Sequence, residues 1–393
     1  MEAPFTIQAR DPDSRARAAL IHTAHGDVRT PAFVPLATKG TVKGLEPRDV
    51  AALGYDMVLG NTFHLFLDPG AELIDGFGGL HQFMRWDGPI ITDSGGFQVF
   101  SMGHGSVADE IKGRRGQRES RILSIDEEGV RFLSYDDGSR RFMGPETSME
   151  VQAKLGSDIA LAFDECTPFH VDRDYTARST ERTHRWLDRC IDWQRENAPE
   201  GQMLFGIVQG GVYEDLRGES AERVAASDVD GVAVGGSLGQ EKAQMHEVVE
   251  WSLRPVREEQ PRHLLGIGDV DDILHAVAAG IDAFDCATPT RLGRHGTALV
   301  PDPEARWRLD LIKPAWRDSR EPISDRCPCA ACRDHTRGYL HYLARAKELT
   351  AARLITLHNL TFMSLLMQQI REAIARGELA SYSAEVLAGQ RPY

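Results

Sequence analysis

The sequence predicts an α/β fold: a (β/α)8 TIM barrel carrying an inserted antiparallel β meander and a smaller C-terminal subdomain. Two observations lead there. Short apolar runs recur near 31–36, 56–60, 89–92, 159–163, 203–208, 231–234, 263–267 and 282–285, and most end on a glycine, an acid or an amide. Amphipathic stretches near 147–156, 176–197, 213–227, 241–254 and 270–279 separate the later ones. Apolar strand, polar terminus, then helix is the signature of parallel βα units, and eight of them close a barrel whose chemistry sits at the C-terminal strand ends. An open doubly wound sheet would divide those ends between its edges.

In chain order, Ala18 to Thr23 and Thr30 to Pro35 read as strands around a turn at His25-Gly26, with Pro31 limiting the second. A short helix follows Pro47, and Gly70 to Met84 reads as helical despite its glycines. Residues 103–146 are too long for a βα loop. They contain alternating stretches, Arg121 to Ile125, Gly129 to Ser134 and Arg140 to Met143, that predict the meander, preceded by a glycine-rich, basic loop over 103–120. The barrel with its N-terminal hairpin and insertion is expected over 1–300, and the subdomain over 301–393.

Composition narrows the class. Hydrophobic residues make up 41% of the 393 and charged residues 26%, the balance of a soluble globular protein. No apolar run reaches membrane-spanning length and no basic-then-apolar leader opens the chain, so no membrane association and a cytoplasmic location are expected. The net charge of −14 argues against a uniformly basic surface. Yet Arg291 to His358 holds 13 lysines and arginines against 8 acids. A nucleic-acid partner would meet that third of the chain.

Cys327-Pro-Cys-Ala-Ala-Cys332 gathers three thiols, and His358 follows on a long helix expected over 351–377. Three thiolates and one imidazole make a closed tetrahedral set, which suits one structural Zn2+ with no open position. His335 and His341 are rival fourth ligands, but His335 stands too close to the cysteines to close the set without strain. The C-terminal part is therefore read as a zinc-binding subdomain with ligands Cys327, Cys329, Cys332 and His358.

Asp285 ends the last predicted strand, before a loop beginning at Pro289 that carries Arg291 and Arg294, two guanidiniums suited to phosphate or a base edge. Asp93-Ser94-Gly95-Gly96 and Asp164-Glu165 end earlier strands.

Taken together, His25-Gly…Thr30-Pro, Leu59-Gly-Asn-Thr, Thr92-Asp-Ser-Gly-Gly-Phe-Gln, Phe163-Asp-Glu-Cys, Gln209-Gly-Gly, Ala233-Val-Gly-Gly, Leu265-Gly-Ile-Gly and Phe284-Asp-Cys-Ala-Thr-Pro-Thr-Arg, with the Cys3His set, resemble the tRNA-guanine transglycosylases of bacterial type. The strings run across nearly the whole chain in the family's order. The resemblance implies a zinc-carrying barrel that replaces guanine at the anticodon wobble position of tRNA with a free 7-deazaguanine base, in queuosine biosynthesis. It places the nucleophile on Asp285 and the general acid/base on Asp93. Base recognition falls on Asp93, Ser94, Gly95, Gly96, Phe97, Asp164, Gln209 and Gly236, with Glu241 available to an amine on the base; by residue chemistry alone, Phe97 or Leu265 suits stacking on the ring. RNA contacts fall on Gly266, Ile267, Gly268, Asp269, Val270, Asp271 and Asp272, and on Thr290, Arg291, Leu292, Gly293 and Arg294. A homodimer is expected.

Residue chemistry supports this. Exchanging a base at an N-glycosidic bond needs a nucleophile for C1′ and a group that protonates the departing purine, which two carboxylates supply. A carboxylate at Asp164 suits the N1–H and 2-amino edge, and Gln209 and the Gly236 backbone suit O6. The target nucleotide must leave its stack to enter. Competing readings are a non-catalytic RNA-binding subunit, the same chemistry on DNA, and a barrel hydrolase.

Three features depart from the bacterial pattern. Asp68 replaces an arginine before Pro-Gly, the 103–120 loop is long, and Gly236-Ser-Leu-Gly-Gln-Glu241 replaces Gly-Leu-Ala-Val-Gly-Glu. The last either opens space at Gly239 for a bulkier base such as queuine beside 7-aminomethyl-7-deazaguanine, or answers a backbone turn.

Overall fold

The computed structural model describes residues 4–104, 121–167, 171–236, 238–239 and 241–392. The glycine-rich basic loop predicted over 103–120 lies almost wholly outside them.

Eight parallel strands form the barrel: β4 (Ala32–Val34), β5 (Val58–Gly60), β6 (Ile90–Thr92), β10 (Ile159–Leu161), β11 (Met203–Val208), β12 (Gly231–Val234), β13 (Arg262–Leu264) and β14 (Ala283–Asp285). Each pairs with its neighbour, β14 pairs with β4 in the register Asp285↔Val34, and a parallel bridge Leu36↔Leu59 closes the ring. Strand parity sorts the apolar residues into two layers. Leu59, Ile91, Ile159, Leu161, Phe205 and Ile207 pack with Ile21 and Val28 of the N-terminal sheet. Val58, Ile90, Ala160, Leu204, Val232, Leu264 and Phe284 pack with helix residues such as Leu187 and Ile273. The first group fills the barrel and the second joins it to its helices.

Some predicted elements differ. An unpredicted strand, β1 (Phe5–Arg10), joins β2 (Arg17–Thr23) and β3 (Gly26–Thr30) in a three-stranded antiparallel sheet. The strand expected from Thr30 to Pro35 breaks at a cis Thr30–Pro31 bond, because proline has no N–H for a ladder. Gly70 to Met84 forms two short helices, Ala71–Gly76 and Gly79–Met84, parted at Gly78 (φ 88°). The loop expected after Pro289 is instead a helix, Thr288–Arg294, with the proline in its first turn, where a missing N–H costs nothing. The insertion is the predicted meander, β7 (Ile122–Ile125), β8 (Val130–Leu133) and β9 (Arg140–Met143).

Buried carboxylates anchor the N-terminal sheet across the lower end of the barrel. Arg17 donates twice to Asp282, at 2.8 and 2.6 Å, and the Asp282 side chain is wholly buried. Removing one partner of such a pair typically costs about 3–5 kcal/mol. On the same lower end, His25 Nδ1 meets Asp158 at 2.7 Å, and His25 stacks on His81. The helix Leu349–Arg376 spans the C-terminal part. Its first half packs Leu354 and Ile355 on the cysteines, and its second half, Leu360 to Ile374, enters the barrel–helix layer.

Candidate active site

The parity that fills the barrel also turns the residues at its mouth inward. Asp285 follows Ala283 on β14, His263 is its diagonal neighbour on β13 (His263↔Ala283), and Gln209 continues the parity of Ile207 beyond β11. Asp285 Oδ1 accepts from His263 Nε2 at 2.9 Å and from the Gly266 N–H at 3.3 Å. Across the mouth, Asp93 Oδ1 accepts the Thr62 N–H at 2.8 Å and Oδ2 accepts from the Asn61 amide. Asn61 is itself fixed, since its Oδ1 caps the helix Thr62–Leu67 through the His64 N–H. Burial pushes Asp93 up to about 7, and the charges of Asp285 and Asp164 add to the shift, while the Thr62 N–H opposes it. A carboxyl poised near neutrality can both give and take a proton.

Asp164 lies deeper. Its Oδ1 accepts from Ser94 Oγ at 2.8 Å and its Oδ2 from Gln209 Nε2 at 2.6 Å. Burial raises it to about 6, against those two donors. One proton of the Gln209 amide remains for another acceptor, and its Oε1 is buried without a partner among the described residues. Gly96 opens the helix Gly96–His104, Ser94 Oγ accepts the Gly96 N–H, and Phe97 stands half exposed. Leu265 is partly buried on the facing strand end.

The expected base-side loop shows why glycine stands at 239. Gly239 holds φ +103°, and a Cβ there would lie 2.5 Å from Gln244 Oε1. The position answers a backbone requirement, and the Gln244 side chain already occupies the space that a smaller residue was expected to open. Glu241 starts the helix Lys242–Leu253.

Of the rim residues expected to touch RNA, only some reach solvent. Arg291, Arg294 and Gly266 are exposed. Thr290 and Gly293 are buried, Gly293 against Thr356, and Leu292 packs on the core. Gly268 packs on Cys286, Val270 is buried, and Ile267 is partly buried. The acids are compensated within the chain: Arg308 holds Asp269 at 3.1 Å, and Lys242 holds Asp271 at 2.6 Å and Asp272 at 3.0 Å. Two lysines missed in the sequence, Lys39 and Lys43, join Arg294. Burial lowers the Lys43 pKa, and the charges of Arg294 and Lys39 lower it further, so these cations share one patch. Asp68, the departure before Pro-Gly, sits 3.5 Å from Lys39.

The predicted metal ligands converge. Cys327, Cys329, Cys332 and His358 are all buried, and their donor atoms lie within 4.8 Å of one another. His358 turns Nδ1 toward Cys332 and Cys329, at 3.2 and 3.5 Å, while Nε2 meets the Leu299 carbonyl at 2.7 Å. A proton on Nε2 would satisfy that carbonyl and leave Nδ1 free to ligate. His341 is committed elsewhere, with Nδ1 2.7 Å from the Leu311 carbonyl, and His335 stacks on Tyr339. The soft, closed donor set fits a structural metal ion.

Comparison with known proteins gives one family. The model of the queuine tRNA-ribosyltransferase family matches residues 11–392. A queuine tRNA-ribosyltransferase of Roseiflexus sp. (strain RS-1) is 51% identical, over 98% of this chain and 100% of its own. That of Pelotomaculum thermopropionicum is 44% identical over 98% of each chain, and that of Synechococcus sp. (strain CC9311) is 45% identical over 95% and 94%.

Proposed function

The chain belongs to the queuine tRNA-ribosyltransferase family, and on that premise we propose that it exchanges guanine at the wobble position, 34, of tRNA for a free 7-deazaguanine base through a covalent ribosyl ester. The observation that carries the reading is the pair at the barrel mouth: Asp285, on strand β14, and Asp93, raised to about 7 within reach of its charge.

In the first half, an oxygen of Asp285 bonds to C1′ of the ribose as the C1′–N9 bond breaks. The bonding electrons leave with guanine, and protonated Asp93 supplies the proton that the leaving base needs. In the second half, the incoming base gives its proton to Asp93 and attacks C1′. The ester electrons return to Asp285, and both carboxyl groups end as they began. Asp164 receives the N1–H and 2-amino edge, Gln209 and the Gly236 backbone donate to O6, and Phe97 and Leu265 flank the ring. Arg291, Arg294, Lys39 and Lys43 hold the anticodon backbone. The Cys3His set holds Zn2+ as a structural ion. The free base is 7-aminomethyl-7-deazaguanine or queuine, and the enzyme acts in the cytoplasm as a homodimer.

Wild-type protein is incubated with tRNA labelled in the wobble guanine, with each base in turn. Release of label into free guanine and a denaturant-stable protein–tRNA adduct are expected, and Asp285→Ala should give neither. Release of guanine without base incorporation would indicate a hydrolase, and substantial turnover by Asp285→Ala would remove Asp285 from the mechanism.

A further inference from the structure

His263 was passed over in the sequence because it opens an apolar run, His-Leu-Leu, that reads as buried strand. In the fold it is fully buried beside the proposed nucleophile, with Nε2 2.9 Å from Asp285 Oδ1. An ionised carboxylate only accepts, so Nε2 must carry the proton of this bond. The other ring nitrogen, Nδ1, is buried with no hydrogen-bond partner among the described residues. A second proton there would create a buried, unpaired cationic N–H, a costlier arrangement than an unpaired acceptor lone pair. Nε2 is therefore the ring's one engaged nitrogen, a fixed N–H donor to Asp285.

We propose that His263 is the positioning residue for Asp285: it dictates which carboxylate oxygen attacks. The inference rests on the exchange reaction proposed above. Oδ1 takes both donors, His263 Nε2–H and the Gly266 N–H. Oδ2 is left to form the bond to C1′, while Oδ1 becomes the carbonyl oxygen of the ester. When the incoming base attacks C1′, the C1′–Oδ2 bond breaks and its electron pair spreads back over the carboxylate. The share reaching Oδ1 meets donors already in place. No proton changes hands at His263, and no co-reactant is needed.

The test compares His263→Phe, which keeps an aromatic ring and removes the donor, with His263→Gln, whose amide nitrogen can stand near the position of Nε2. Adduct formation is followed in a single turnover, adduct breakdown by a chase with free base, and tRNA affinity separately. A hydrogen bond to a charged group corresponds to roughly 10–100-fold. The Phe variant should lose that much in both adduct steps and keep its tRNA affinity within about threefold. The Gln variant should recover most of the rate. Equal losses in Phe and Gln, or a fall confined to tRNA affinity, would reduce His263 to a packing residue; wild-type rates in Phe would remove it altogether. If Phe does not fold, the Gln variant alone decides: near-wild-type rates support the proposal and a hundredfold loss overturns it. Failure of the wild type to form any adduct would overturn the exchange reaction itself, and this proposal with it.

Discussion

The side-chain oxygen of Gln209 occupies the place where a Cβ on residue 236 would stand. Gly236 is also at φ +76°, a conformation that costs other residues roughly 1–2 kcal/mol. Gly236→Ala should therefore push Gln209 off Asp164 and spoil the pocket. KM for the free base should rise at least ~10-fold while affinity for tRNA stays unchanged. An unaltered KM would mean that neither residue reads the base.

Asp93 should impose a pH dependence of defined sign. Its folded pKa, about 7, lies above the ordinary value of 3.8. Between those values the folded chain retains a proton that the unfolded chain releases. The stability this group contributes is thus present below about pH 4 and lost as pH rises to 7. Protonated Asp93 is also the form that serves guanine departure, so adduct formation should fall above about pH 7. Asp93→Asn should lower the exchange rate roughly 10²–10⁴-fold. It should also flatten Tm between pH 5 and 8 relative to wild type. Parallel Tm curves for the two proteins would contradict the assigned shift.

Metal removal should act on structure first. Elemental analysis should find one zinc per chain. Chelation should lower Tm by several degrees and speed hydrogen exchange around Leu299 and through Leu354–His358, where the ligand set meets the core. Unchanged Tm after complete removal would assign the cluster no stabilising role.

Arg291→Ala and Arg294→Ala should each weaken tRNA binding and reduce its salt slope by about one, with Tm preserved because both side chains are exposed. The same loss is expected with a minimal anticodon stem-loop. Loss with whole tRNA alone would place the contacts elsewhere.

Gly239→Val would require valine at φ +103° and displacement of Gln244. Equal losses in kcat/KM for 7-aminomethyl-7-deazaguanine and queuine are expected. A selective loss of queuine beyond tenfold would instead show that this position gauges the base.

Where the sequence was legible, the cause was local. The barrel strands announce themselves because each is a short apolar run with a polar stop, and the four metal ligands because thiols cluster in so few residues. β1 had a signal, since Phe5-Thr-Ile-Gln-Ala-Arg10 alternates in burial, but one short alternating run at a terminus weighs little until β2 is known to pair with it. The helix Thr288–Arg294 was hidden because proline both ends helices and begins them, and only the packing of Gly293 on Thr356 decides which. His263 was illegible for a different reason. Its meaning depends on the register His263↔Ala283, which no local pattern contains. Likewise Lys39 and Lys43 lie far in sequence from Arg294 and meet it only when the barrel closes.

That closure pairs β4 with β14, nearly opposite ends of the barrel's sequence, and the seam carries Asp285 directly against Val34. A ribosome adding roughly 5–20 residues per second takes on the order of 10–50 s to travel from one to the other. Through that interval the nascent chain holds β4 without its partner, an unpaired edge of the kind that templates aggregation. The strand that ends the exposure is also the one that delivers the carboxylate. A chain cut short before Asp285 should therefore be both inert and prone to aggregate, so quality control by proteolysis and the gain of activity would coincide at a single event late in synthesis.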